Sequence, residues 1–203
     1  MVIPGFFISI MWSVKLLEIA VGKSFAFLGI YPLKGYGLPG IITSPLIHAD
    51  WDHLINNSVP LLILSVATFY FYRPLGLKVF LLSWLMVGIW VWCGAREAYH
   101  IGASGIVYAL ASFLIFSGIM RRTTELAAVS LIVIFMYGSM IWGIFPFIPD
   151  ISWESHLSGG IAGFILAFLF RKEGPQPKQY IWEEEIDDEE ANELIEKYQN
   201  ENK

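Results

Sequence analysis

The chain has 203 residues, 56% hydrophobic and only 15% charged, with a mean hydropathy of +0.58, which excludes an ordinary soluble domain and places it in a bilayer. The net charge of −5 comes from "EEEIDDEE" at 183–190, whose seven acidic groups outweigh a slightly basic remainder, so it implies no nucleic-acid partner. The single cysteine, Cys93, excludes an internal disulfide framework and a cysteine-built zinc site.

A helix that crosses a membrane needs roughly 20 mostly apolar residues. Such stretches fall near 3–21, 52–72, 78–95, 102–120, 125–145 and 155–171, which predicts an all-α integral membrane fold, a bundle of six transmembrane helices over 1–172. The first stretch has no basic leader or small-residue cleavage site, and Lys15 and Glu18, three apart, predict an ion pair in an anchored helix. A long loop rich in Gly and Pro follows, at about 22–51. Arg73, Lys78, Arg121, Arg122, Arg171 and Lys172 all fall on one side of the membrane, which makes that side and both termini cytoplasmic. Residues 173–203 read as a flexible acidic cytoplasmic tail, with a short amphipathic helix possible at "ANELIEKY". Trp84, Trp90, Trp92, Trp142 and Trp153 read as an interfacial belt.

This topology gives the second, fourth and sixth spans the same direction, so their first residues share a leaflet. His53 and Asn57, Ser104, and His156 lie there. Polar groups at membrane depth are expensive and are kept for function or mutual bonding. A serine hydroxyl becomes a nucleophile when a base removes its proton, and histidine is the usual base, so Ser104 and His156 form the candidate catalytic pair. Peptide cleavage also needs donors for the developing oxyanion, which a main-chain N–H, His53 and Asn57 can supply. The spacing of four puts His53 and Asn57 on one helical face, and Tyr108 stands one turn deeper than Ser104, where its ring can pack on the imidazole. Gly159 and Gly163, with Gly105 and Ala109, give the sixth and fourth spans facing small-residue stripes that permit close approach. Gly102 and Gly105 leave room beside the serine for a substrate backbone.

Taken singly, these features have plainer readings: Ser104 as a helix-packing residue, His53 with Asn57 as an interhelical pair, His156 as structural. Their joint placement favours chemistry. Neither remaining histidine takes a catalytic role: His48 reads as support for the loop or the oxyanion side, and His100 as a polar residue at the mouth. "GASGI" is not a G-x-S-x-G nucleophile elbow, because Ile106 occupies the last glycine position, and without H-E-x-x-H the histidines make no zinc site, so neither metal nor cofactor is expected.

The residues resemble the rhomboid intramembrane serine proteases. An H-x4-H-x3-N pattern matches "HADWDHLINN" (His48, His53, Asn57), G-x-S-G matches "GASG" (Gly102, Ser104, Gly105), and a histidine before small residues matches "HLSGGIAG" (His156). The resemblance covers about residues 25–171 and is to the six-span basic form. It implies a Ser104–His156 dyad in a water-filled cavity below the outer surface and an oxyanion hole from the Ser104 N–H, His53 and Asn57. It also implies cleavage of membrane-protein substrates, single-span or multi-span, within the lipid. The first loop departs from some members, having "GLPGIITSPL" and no Trp-Arg pair. The alternative is a catalytically silent relative that binds membrane clients; such relatives lack the serine or the histidine, and this chain has both. A small transporter is disfavoured, because the polar residues gather at one leaflet and no paired broken helices are visible. The compact form without a targeting extension points to a bacterial cytoplasmic membrane.

Overall fold

The computed structural model describes residues 2–148, 151–177 and 188–201. Among them the secondary structure is helical, with one isolated β-bridge between Ile30 and His100 and no strand. The long helices are α1 (Val2–Val21), α3 (Trp51–Phe71), α4 (Gly76–Gly94), α5 (Ser104–Arg121), α6 (Thr124–Tyr137) and α7 (Trp153–Leu169); α2 (Gly40–Thr43) is one turn inside the first loop, and α8 (Asp188–Glu201) closes the chain. These six long helices begin and end within a few residues of the apolar stretches picked from the sequence, except at the fifth. There the α-helix stops at Tyr137 and continues as a 3-10 segment, Gly138–Ile144. After Glu125 the run to 145 is mostly apolar, and the small Gly138–Ser139 pair at the change in winding does not interrupt it, so hydropathy alone shows one continuous stretch.

Among the described residues, five helical stretches are long and apolar enough to cross a membrane: Val2–Val21, Trp51–Phe71, Gly76–Gly94, Ser104–Arg121 and Thr124–Ile144. The chain is therefore a multi-pass membrane protein. Its outer surface is apolar to match, with Leu131, Ile132, Phe135, Ile161 and Phe168 among many large side chains left exposed. A helix satisfies its own backbone hydrogen bonds, which is why this architecture tolerates lipid on its outside.

The centre of the bundle is α5. Ile106, Val107, Leu110, Phe113 and Leu114 are buried there, and the helix packs against α3, α4, α6 and α7. Its closest partner is α7, because Gly159 and Gly163 face it. A methyl at Gly159 would overlap the Gly105 carbonyl oxygen, and one at Gly163 would overlap that of Ala109 and stand 2.7 Å from Ser112 Cβ. Glycine at both places lets the two backbones touch. On the other side α1 buries Phe7 edge-on against Phe80 and Trp84, at centroid distances of 5.3 and 5.1 Å.

The first loop is folded tightly onto the bundle. Lys15 pairs with Glu18 at 3.2 Å and donates to the carbonyls of His48 and Ala49, while Glu18 accepts from the Phe25 N–H. Trp84 and Trp92 donate their indole N–H groups to the carbonyls of Ile41 and Lys34. Trp84 lies in the middle of α4 and so serves as a loop strut, not as part of an interfacial belt. At the opposite end Arg121 is buried and donates to Ser117, Phe170 and Pro175, tying α5 to the segment after α7. In the tail, "ANELIEKY" lies within α8, whereas 178–187, with four of the seven acidic groups of the run, falls outside the described residues.

Candidate active site

Ser104 is the first residue of α5, and His156 lies in the first turn of α7. The glycine contacts between these helices bring the serine Oγ to 2.8 Å from the imidazole Nε2. Nδ1 of the same ring lies 2.9 Å from the Gly143 carbonyl oxygen. A carbonyl can only accept, so Nδ1 carries the proton and Nε2 accepts from the Ser104 hydroxyl. The Tyr108 ring stacks on His156 at 4.2 Å and 8°, and its hydroxyl donates to the Met140 carbonyl at 2.7 Å. His156 is buried, so water competes little for these bonds.

The loop leading into Ser104 is held from several sides. Gly102 has φ +103°, a region open to glycine, and its N–H donates to the Ser44 carbonyl. A methyl on Gly102 would stand 2.5 Å from His53 Nε2 and 3.6 Å from Asn57 Nδ2. Both side chains therefore lie against Gly102, two residues before the serine, where only a residue without a side chain lets His53 come so close. Asn57 is buried on α3 and spends one N–H on the His53 carbonyl at 2.9 Å, which fixes its amide. The start of α3 is set by Asp50, whose carboxylate accepts the His53 N–H at 2.7 Å. Gly105, just after the serine, faces Val87 and the Ser155 carbonyl and packs between helices.

The two remaining histidines have structural work. His48 is 1% exposed, meets His53 edge-on at 5.0 Å, and its Nε2 accepts the Ala103 N–H at 3.4 Å, bracing the peptide before Ser104. His100, expected at the mouth, is buried. It donates from Nε2 to the Arg96 carbonyl and accepts from Ser152 at Nδ1, and its backbone bridges Ile30. Its partners come from three loops, whose folding spacing does not reveal.

Burial, and then the neighbouring His53, holds the His48 imidazole down to about 3; burial likewise lowers His100. An unfolded histidine titrates near 6.5, so below that pH the unfolded chain gains protons that folded His48 refuses until about pH 3. Stability therefore falls on acidification, by about 2 kcal/mol for His48 between pH 7 and 5. The thermal midpoint in detergent, followed across that range, is expected to drop steeply for wild type and less steeply for His48→Gln.

Sequence comparison gives this arrangement its relatives. The family model described as "Rhomboid domain" matches residues 37–173. An uncharacterized Mycobacterium tuberculosis protein is 34% identical over 178 residues, covering 80% of this chain and 72% of its own. One from Mycobacterium leprae is 30% identical over 179 residues, covering 80% and 68%. A Bacillus subtilis protein named for the rhomboid proteases is 30% identical over 135 residues, covering 64% and 65%. With the matched region running from the first loop through α7, the chain belongs to the rhomboid family.

Proposed function

We propose that this rhomboid-family protein is an intramembrane serine endopeptidase that cuts other membrane proteins in or near their transmembrane segments. The observation that carries the reading is the 2.8 Å hydrogen bond from the Ser104 hydroxyl to a His156 ring whose other nitrogen is the protonated one. In this mechanism His156 takes the serine proton as Oγ attacks the scissile carbonyl, then returns it to the leaving amine. Water repeats the sequence on the acyl-enzyme. The negative charge on the tetrahedral intermediates is held by the Ser104 N–H, His53 and Asn57. Tyr108, Gly159 and Gly163 hold the imidazole and serine in register, and Gly102 leaves the oxyanion space open.

We count α7 as a sixth span: its 17 residues rise about 25 Å, short of a full bilayer core but workable in a locally thinned one. The basic residues at the α3–α4 and α5–α6 turns and after α7 then face the cytoplasm, and the site opens to the other side. A bacterial cytoplasmic membrane is the proposed home.

The test is cleavage, in liposomes, of a panel of single-span substrates whose outer segments contain small residues and are weakly helical. The reading expects cuts within those segments. Binding without cutting by folded wild type, across the panel, would favour a silent client-binding relative. Once cleavage is in hand, Asn57→Ala is expected to lower kcat about 10²- to 10³-fold, the usual loss for one oxyanion donor, with little change in KM. Wild-type kcat in that variant would remove Asn57 from the mechanism.

A further inference from the structure

The His156 ring has two hydrogen bonds, and the one away from the serine goes to main chain. Serine hydrolases commonly fix the histidine tautomer with a carboxylate. The nearest candidate in sequence, Glu154, is turned elsewhere: its Oε1 accepts the Arg96 N–H at 3.4 Å and lies 3.7 Å from the Arg96 guanidinium. We propose that Gly143 is the positioning residue of the candidate dyad, its carbonyl standing where a triad would place an acid. The inference rests on the Ser104–His156 reading above.

Three features of the 3-10 segment Gly138–Ile144 support this role. Its helical ladder ends at Ile144, and the last carbonyls of a helix need partners from outside it, so the Gly143 oxygen is available to a side chain. Position 143 also has no room for a side chain, since a methyl there would overlap Tyr108 Oη and stand 3.1 Å from His156 Nδ1. Glycine is what lets the backbone reach the ring. Third, the same segment accepts the Tyr108 hydroxyl through Met140, so the stacked face and the Nδ1 edge of the imidazole hang from one stretch of seven residues. That stretch ends the least enclosed span of the bundle, where Phe135 and Trp142 are 91% and 65% exposed. The imidazole is therefore held in its working tautomer only while this segment is seated against α5 and α7.

The experiment uses the full chain in detergent or nanodiscs and compares wild type, Gly143→Ala and the double variant Gly143→Ala/Tyr108→Phe. Two readings are taken: cleavage kinetics, and the ¹⁵N shifts of the His156 ring, assigned with His156→Gln. Wild type is expected to show the Nδ1–H tautomer. Gly143→Ala is expected to lose it and to lose about 100-fold in kcat, with KM within about 3-fold, as for a misplaced catalytic group. Removing the hydroxyl that the new methyl strikes is expected to return part of that loss. An Nε2–H ring in wild type would overturn the proposal whether or not Gly143→Ala folds, as would a folded Gly143→Ala with wild-type kcat. A wild type that cuts nothing but holds the Nδ1–H tautomer, lost in Gly143→Ala, would sink the protease reading and keep the positioning one.

Discussion

Ser104→Ala is expected to abolish cleavage, lowering the single-turnover rate at least about 10⁴-fold, and His156→Ala is expected to do the same. The two act as one unit, so the double variant should be no slower than either single one. The serine loses only its hydroxyl, and the helix N-terminus it occupies is placed by the Ala103–His48 and Gly102–Ser44 bonds, not by its own side chain. The thermal midpoint of Ser104→Ala is therefore expected to stay within a few degrees of wild type. Multiplying losses in the double variant would mean that the two residues contribute separately, against the dyad.

The second large effect concerns stability. Gly163→Val places a branched side chain where even a methyl overlaps the Ala109 carbonyl and stands 2.8 Å from the Phe113 nitrogen. Those neighbours are backbone of the central helix and cannot turn aside, so α5 and α7 must separate. The expected cost is about 3 kcal/mol or more, at the upper end for overpacking, together with loss of activity as Ser104 and His156 part. Gly160 provides the control, because a methyl there meets nothing within 4 Å. Gly160→Ala should be neutral or stabilising by up to about 1 kcal/mol, the helix-propensity gain. Thermal or SDS-induced unfolding of the two variants reads the contrast, and equal effects would contradict the packing account.

The helices themselves were legible in the sequence because the bilayer imposes one rule, a long apolar run, that local composition reveals. The convergence of Ser104, His156, His53 and Asn57 could be anticipated because polar groups stand out in such runs and helical parity puts the N-terminal ends of α3, α5 and α7 on one side. The Gly159 and Gly163 stripe was visible for a similar reason: its spacing of four follows the helix repeat. What escaped was everything carried by main chain or by loop tertiary structure. The Gly143 carbonyl leaves no side-chain signal, and the 3-10 winding that presents it is hidden in a stretch apolar enough to read as one span. Gly102 reads as the start of a span, yet its positive φ places it in the turn before the helix. His100 looks like a mouth residue until the loops fold over it, and Trp84 looks interfacial until its N–H is seen reaching Ile41.

The central claim is that His156 makes the Ser104 oxygen nucleophilic, and the direct measurement is covalent labelling with a fluorophosphonate, mapped by mass spectrometry on detergent-purified protein. The account predicts one adduct, on Ser104, absent from both Ser104→Ala and a folded His156→Ala. Folded wild type that stays unlabelled under conditions that label a control serine protease, or an adduct on Ser104 that persists in His156→Ala, would contradict it.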